Sequence, residues 1–379
     1  MTGSRLVVSA PGAVLSQRAL NRALLERQLL LQRVPRPAAE TIEHLVGLQA
    51  QVPKVPYVAL WTRLDGFHHH ELADLLASRQ AVRLPLMRAT IHLVTARDCL
   101  ALRPVMQSAL KRCFNTQSPF GRRLAGVDLG AVLAVGKELI EEQPRTRADL
   151  GPLLAAQWPD RDPEALAMAI SYLLPVVQVT PRGIWGQSGQ AAWTTIEHWL
   201  GEPLETELPA EEAILRYLAA FGPATVGDMR VWSGLTGVRE IFDRLRPRLR
   251  SFRDEQGREL FDLPQAPRPD PETPAPPRFL PEYDNVVLSH DDRSRIIIHQ
   301  GWPTLFAGND GMVGSLLVDG FVTAAWMLTR ERDDAVLHVH PLRRLTPDEE
   351  AGISTEAEDL ISFVAADSTR RDIMFAPPL

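Results

Sequence analysis

Two glutamines, Gln49 and Gln51, have a residue type and spacing that could hold a water molecule against a substrate. A carboxamide oxygen accepts a hydrogen bond from water, and its dipole can face a positive charge. Side chains two residues apart diverge by about 200° in a helix but share one side of an extended chain. Pro53 disfavours a helical conformation at Val52. The sequence therefore predicts that a helix ends near Gln49 and that both amides project toward one cleft; the alternative is that they cap or solvate a helix end.

Polar residues in two other segments are candidates to support this pair. Arg88, Thr90 and His92 alternate with apolar residues, so one face of the predicted strand 88–95 is polar. These polar residues either line a channel or belong to a half-buried strand in which their side chains are hydrogen-bonded. The second segment contributes Asp284, Asn285 and Arg293. Asp284 and Asn285 either lie near the site or shape a turn, and we expect Arg293 to contact phosphate.

The familiar cofactor and metal motifs do not occur. The sequence contains no P-loop, no GxGxxG, no CxxC pair and no G-x-S-x-G, so we expect no cofactor and no metal. Cys99 and Cys113 would lie about 21 Å apart on one helix, too far for a disulfide. No apolar run approaches the ~20 residues of a membrane helix, and the N-terminus does not resemble a secretion signal. We therefore expect a cytoplasmic protein without a membrane partner.

Charge is segregated along the chain. The net charge of −6 excludes a uniformly basic nucleic-acid binder, yet 97–123 and 239–253 each contain six positive residues. A locally basic face fits contact with a phosphate backbone, and the alternative is two solvated helix faces. Arg239, Arg244 and Arg246 are the candidate phosphate contacts in the second cluster.

One pattern recurs three times before a linker that holds seven prolines between 264 and 277. Each copy has helices followed by a hairpin, which is the winged-helix order. The third copy has the best-defined elements, predicted as helices 210–221, 225–233 and 236–249 with a hairpin of strands 249–254 and 259–263. After the linker, short strands at 286–289, 295–299, 316–318, 321–329 and 335–340 predict a small barrel. A helix at 346–365 follows.

These elements predict an α+β fold. The proposed boundaries are 1–130 for the first winged-helix region, which carries the Gln-x-Gln motif, 131–205 for the second and 206–263 for the third. The Pro-rich linker covers 264–278, and the C-terminal β-barrel with its terminal helix covers 279–379.

At several separated motifs, the chain resembles the bacterial AlkZ-like winged-helix DNA glycosylases over nearly its whole length. Residues 48–51, Leu-Gln-Ala-Gln, match the Gln-apolar-Gln catalytic motif of that family. Further similarity lies in the strand motif 86–94, the segment 279–290 with Arg293, and the hairpin 318–322 with Trp326. A divergent branch of the family has Asp at the second catalytic position. Gln51 therefore points to the branch that acts on crosslinks.

The resemblance implies three tandem winged helices that form a C-shaped body around a basic channel, with a C-terminal β-barrel. It implies excision of alkylated purines, above all N7-alkylguanine, in some members from interstrand crosslinks. The partner would be double-stranded DNA with alkylated bases, bound by a monomer. Gln49 and Gln51 would orient the water, without a lysine Schiff base. An N7-alkylated purine is cationic and leaves as a neutral base, so no general acid is needed.

Two other functions compete with the glycosylase. A tandem winged-helix transcription regulator without catalytic activity would also use basic patches, and a partner-binding module would not bind DNA at all. The Gln-x-Gln arrangement separates these alternatives, because a regulator does not need it.

Overall fold

The computed structural model of the protein describes residues 12–204, 209–298 and 313–378. Its helices are α1 (Gln17–Arg27), α2 (Ala38–His44), α3 (Val55–Trp61), α4 (His69–Ala77), α5 (Ala96–Arg112), α6 (Pro119–Arg123), α7 (Leu129–Glu142), α8 (Arg147–Ala155), α9 (Pro163–Leu173), α10 (Ile196–Leu200), α11 (Ala210–Phe221), α12 (Val226–Ser233), α13 (Val238–Leu245), α14 (Asn285–Leu288) and α15 (Pro347–Val364). Its strands are β1 (Val14–Leu15), β2 (Leu48–Gln49), β3 (Ala81–Pro85), β4 (Ile91–Thr95), β5 (Arg145–Thr146), β6 (Val176–Gln178), β7 (Ala192–Thr195), β8 (Arg250–Asp254), β9 (Glu259–Asp262), β10 (Arg278–Leu280), β11 (Gly314–Val318), β12 (Phe321–Glu331), β13 (Asp334–Pro341) and β14 (Arg370–Phe375).

The hairpins predicted for the first two units share one six-stranded sheet with the order β2-β4-β3-β6-β7-β5. The hairpins β3–β4 and β6–β7 meet where Arg83 pairs with Gln178. Strand β2 lies at one edge, and its pairing with β4 sets Gln49 opposite His92. The Gln-x-Gln segment is therefore attached to the same sheet that carries the polar face predicted around residue 92.

The third unit has the predicted order of three helices and a hairpin, α11 to α13 followed by β8 and β9. Thr225 caps α12 as its sequence predicts, because its Oγ1 accepts a hydrogen bond from the backbone N–H of Asp228. The third helix ends at Leu245, four residues before the predicted end, and a 3-10 turn over Arg246–Arg248 follows. Pro247 lies in that turn and cannot continue the backbone hydrogen bonding of the helix.

The C-terminal strands form an open five-stranded sheet, so the predicted barrel is wrong. The order is β10-β11-β12-β13-β14, and within the described residues the two outer strands lie at opposite edges. Helix α15 leads from β13 to β14, which pair in parallel, and it contacts both of them and β10. The helix therefore covers apolar surface that a closed barrel would bury inside. The hairpin predicted at Asp319 and Gly320 is confirmed between β11 and β12.

Two further strand predictions in this region are wrong. Residues 286–289 lie largely in the short helix α14, because the Asp284 side chain accepts a hydrogen bond from the N–H of Val286 and caps it. Residues 295–298 form a turn and an irregular segment, and residue 299 lies outside the described residues. Both stretches are rich in Val and Ile, so local β-propensity was overridden by capping and packing.

One hydrophobic core extends across the predicted regions. It includes Leu24 of α1, Trp232 of α12 and Leu317 of β11. A buried ion pair between Arg27 and Asp262, 2.7 Å apart, joins the first and third regions. In the part of the chain that is described, no helix combines the length and the apolar character needed to cross a bilayer.

Candidate active site

Gln49 lies in a strand, and Gln51 in the bend that follows it, because the helix before them ends early. Helix α2 stops at His44, five residues before the predicted end. Val46 and Gly47 then adopt positive φ angles of 55° and 89°. A Cβ added at Gly47 would lie 2.7 Å from Cγ1 of Val94, so only glycine fits there without a shift. The left-handed turn redirects the chain into β2, where Gln49 belongs to a strand.

Gln49 is buried and its carboxamide is held in place. Its side chain belongs to a residue that is 6% exposed. The Oε1 atom accepts a hydrogen bond of 2.7 Å from Nη2 of Arg88. A charge-assisted bond of this length fixes the orientation of the amide, and the carbonyl oxygen keeps a second lone pair for another donor.

Arg88 brings Asn285 and His92 together with Gln49, so that four of the candidate residues form one cluster. Arg88 has a φ of 55°, which turns its side chain toward the edge strand. Its Nη2 also lies 3.4 Å from Oδ1 of Asn285 and 3.5 Å from Nε2 of His92. Asn285 in turn donates from Nδ2 to the carbonyl oxygen of Gly47 at 2.8 Å. The site is therefore assembled from β2, β4, the turn before β4 and the start of α14.

The guanidinium of Arg88 has capacity to bind a further group. Its Nη1 is buried and has no hydrogen-bond partner among the described residues. Burial, followed by the charge of the exposed Arg293, lowers the pKa of Arg88 to about 10. Arg88 still carries its charge at neutral pH, so two cations lie close enough to influence each other in this part of the site.

His92 is neutral in the folded protein. It is fully buried, its Nδ1 donates to the carbonyl oxygen of Thr90 at 3.0 Å, and its Nε2 faces Arg88. Burial, followed by the charge of Arg88, lowers the pKa of His92 to about 3. The imidazole therefore accepts at Nε2 and cannot deliver a proton from that atom.

This burial makes stability depend on pH in a predictable direction. In the unfolded chain His92 binds a proton below a pH of about 6.5, but in the folded protein only near pH 3. Between these values the unfolded state binds more protons, so the free energy of unfolding falls as pH falls. From pH 7.5 to 5.0 the His92 contribution to this loss is about 2 kcal/mol.

Urea denaturation at the two pH values tests this prediction with two variants. We expect His92→Gln to reduce the pH dependence of the free energy of unfolding by that amount. His70→Gln, which replaces an exposed histidine, is expected to leave it unchanged. An identical pH dependence for wild type and His92→Gln would contradict the prediction.

Gln51 lies at the surface, at the outer end of the same segment. Its side chain is exposed, and its Oε1 accepts a hydrogen bond of 3.3 Å from the backbone N–H of Ile91. Between the glutamines, Ala50 is held on both sides, by the carbonyl oxygen of Ile91 and by Nη2 of Arg83 at 2.6 Å. The backbone between the two amides is thus fixed, whereas the Gln51 side chain is free to turn toward solvent.

Arg83 is a residue that the sequence reasoning missed. It is 1% exposed and holds the Ala50 carbonyl, and its Nε and Nη1 have no partner among the described residues. Burial lowers its pKa to about 10, with a smaller effect from the charge of Arg182. The available signal was an arginine within an apolar strand, which in a buried position must have a structural or functional reason.

The remaining candidates have other surroundings. Asp284 forms a buried, bidentate ion pair with Arg63 at 2.8 and 2.9 Å and caps α14, so it positions Asn285. Thr90 donates from Oγ1 to the carbonyl oxygen of Met87. On α13 and the turn after it, Arg244 pairs with Glu211 and Arg246 with Glu259, while Arg239 is exposed without an ion pair among the described residues.

Comparisons with known proteins identify the family of the chain. The family described as DNA glycosylase AlkZ-like matches residues 42–363, which include the site. No curated protein sequence matches the chain. A solved structure, the Streptomyces sahachiroi DNA glycosylase AlkZ, superposes with a TM-score of 0.71 at 19% identity, covering 96% of this chain and 100% of that chain. The likeness supports a common fold, and the family match over most of the chain shows that the protein is an enzyme of the AlkZ-like DNA glycosylase family.

Proposed function

We propose that this glycosylase hydrolyses the N-glycosidic bond of cationic N7-alkylated purines in double-stranded DNA. The observation that carries the proposal is the set of groups around Gln49. Its surroundings are a guanidinium, a carboxamide and a neutral imidazole, from Arg88, Asn285 and His92. The nearby carboxylate of Asp284 is fully engaged by Arg63. Such a site suits a base that leaves without a proton.

The chemistry of the substrate explains how an amide pair suffices. N7-alkylation makes the purine cationic, so cleavage releases a neutral base and leaves an oxocarbenium-like sugar, as in other glycoside cleavage. The free lone pair of Gln49 Oε1 accepts a hydrogen bond from water and directs it at the anomeric carbon. Gln51 reaches the same water after giving up its 3.3 Å bond to Ile91, which costs little because that bond is long and exposed.

The positive charges of Arg88 and Arg293 must be neutralised by anions before a cationic base can bind next to them. Arg88 and Arg293 would repel a cationic base unless their charges were compensated. Phosphates on either side of the damaged nucleotide supply that compensation, with the exposed guanidinium of Arg293 as donor. We interpret the helix and hairpin units as three tandem winged helices that line the DNA channel, with the protein acting as a monomer. Thr90 and Asp284 then support the site through Met87 and Arg63.

Three arginines of the third unit are predicted to contact phosphate, and among them Arg239 is the one that no carboxylate of the described residues holds. Arg244 and Arg246 are held by carboxylates, whereas Arg239 is exposed. We expect Arg239→Glu to weaken binding to damaged and undamaged duplexes of any sequence by the same factor. The slope of log K against log salt should fall by about 1. Fluorescence anisotropy over a salt series measures both, and an unchanged slope would exclude the contact.

The proposed function is tested with purified protein and two substrates, a duplex with N7-methylguanine and a duplex with a bis-alkylated crosslink. We expect release of free methylguanine and an abasic site, and unhooking of the crosslink. Borohydride should trap no covalent complex, because the mechanism uses no lysine. Tight binding to one operator sequence without base release would favour a regulator, and absence of salt-dependent DNA binding would favour a partner-binding module.

A further inference from the structure

A cavity of about 310 Å³ lies next to the site. It is formed by the start of α3, the loop between β6 and β7, the segment after β10, and β12. Its Lys54 follows Gln51 by three residues, and its Glu282 precedes Asn285 by three residues. Three residues of extended chain span at most about 11 Å. The backbones of Lys54 and Glu282 therefore lie within about 11 Å of those of Gln51 and Asn285, respectively.

The walls of this cavity are largely apolar and aromatic. Trp185 and Trp326 contribute rings, and Val58, Met327 and Leu328 contribute aliphatic side chains. Trp326 is fixed, because its Nε1 donates to the carbonyl oxygen of Leu280 at 2.8 Å. A preformed apolar cavity with a few polar groups is the usual form of a site for a small organic group.

Glu282, which lines the cavity, has one oxygen without a hydrogen-bond partner among the described residues. Oε2 of Glu282 is buried and makes no hydrogen bond among the described residues. Burial raises the pKa of this carboxyl group, and a smaller, opposite effect comes from the neighbouring Tyr283 hydroxyl. Buried carboxyl oxygens are nearly always hydrogen-bonded, so this atom points to a missing group. At the mouth, the exposed Lys54 lies over the ring of Trp185, with Nζ 5.4 Å from its centroid.

We propose that this cavity binds the substituent that an alkylating agent leaves on N7 of the purine, and that it selects flat, apolar substituents with a hydrogen-bonding group. The inference rests on the proposed function. N7 and the nitrogen that carries the sugar belong to the same five-membered ring, so a substituent on N7 starts close to the reacting bond. A methyl group would leave the cavity unfilled, whereas an aryl group would contact both tryptophans.

The size and chemistry of the cavity favour this occupant over others. A volume of about 310 Å³ is near the lower limit for small-molecule sites and too small for a folded partner. Lys54 at the mouth offers a positive charge to the phosphate backbone of the strand whose purine carries the substituent. Burying an aryl group is expected to raise affinity and kcat/KM for the damaged DNA about tenfold.

The experiment compares duplexes that contain N7-benzylguanine or N7-methylguanine, both cationic. Rates are normalised to the uncatalysed depurination of each base, and affinities are measured separately. We expect wild type to prefer the benzyl duplex about tenfold in both quantities. Met327→Trp, which fills the cavity from a half-buried position, should lower activity on the benzyl duplex far more than on the methyl duplex and so abolish the preference. Trp185→Ala, which removes a wall, should also lower the preference.

Trp158→Ala is the matched control, since Trp158 is a half-buried tryptophan in the second helical region outside the cavity. Its preference for benzyl should equal that of wild type. No preference in wild type, or an equal loss on both duplexes in Met327→Trp, would overturn the proposal. If wild type released neither base, the proposed function would fail, and the affinity ratio of the two duplexes would still decide whether the cavity binds the substituent.

A second arm tests the role of Glu282. A hydroxyl group added to the benzyl ring supplies a donor for the unpartnered Oε2. We expect a further gain in kcat/KM of at least about threefold from one hydrogen bond to a carboxyl group. Glu282→Leu, which keeps the volume, should remove that gain but retain the preference for benzyl over methyl. A gain that persists in Glu282→Leu would overturn the assignment of this contact.

Discussion

Replacing Gln49 with alanine is expected to slow release of N7-methylguanine from DNA by at least about tenfold, and replacing Gln51 as well by about 100-fold or more. The affinity for DNA should change little. Gln49 is buried and fixed by Arg88, so its loss removes the group that aims the water. The loss of Gln51 removes only the outer contact, so the Gln49 variant should be the slower of the two single variants.

Arg88 is the main complication in the interpretation of this experiment. In Gln49→Ala its Nη2 loses its closest acceptor, although Asn285 and His92 remain nearby. A change in DNA affinity would therefore report displacement of Arg88. Single-turnover base release at saturating enzyme separates the chemical step from binding.

Gln143→Ala provides the matched control. This glutamine is exposed and lies beside β5, the edge of the six-stranded sheet opposite β2. With strands about 4.8 Å apart, five steps across the sheet separate it from Gln49 by roughly 24 Å. The control should retain full activity. Full activity in the Gln49→Ala and Gln51→Ala double variant would refute the role of the pair.

The sequence was informative about the backbone around Gln49, because the features that shape it lie within a few residues of each other. Spacing and Pro53 predicted an extended segment without knowledge of the fold. The end of the preceding helix was placed five residues too late, because the apolar spacing of α2 continues through residues that turn at Val46 and Gly47. The left-handed turn depends on the close approach of Val94, which comes from another strand.

Long-range contacts explain the features that local patterns did not predict. Arg83 and Arg63 are separated in sequence from the groups they bind, Ala50 and Asp284. No spacing rule connects such pairs. The open C-terminal sheet was missed for a similar reason: short strands and tight turns fit a barrel and an open sheet equally well. The choice depends on where α15 packs and on the parallel pairing of β14 with β13.

The charge of the base is expected to matter more than its size for the chemical step. A duplex with O6-methylguanine, which has a neutral purine, should be cleaved at least about 100-fold more slowly than one with N7-methylguanine. A neutral purine leaves as an anion unless an acid protonates it, and a positioned acid typically contributes that factor or more. Neither of the two titratable groups closest to Gln49 and Asn285 is such an acid, since His92 is neutral and Asp284 is paired with Arg63.

Measurement of base release from the two duplexes at equal saturation tests this prediction and also its pH dependence. If the enzyme supplied a proton, the rate on the neutral base would rise as pH falls toward the pKa of the acid. Because the positive charge belongs to the substrate, we expect the rate on N7-methylguanine to be nearly constant from pH 6.5 to 8.5. Comparable rates on both duplexes would mean that a group of the protein protonates the base, and Glu282, whose pKa is raised by burial, would then be the first residue to replace.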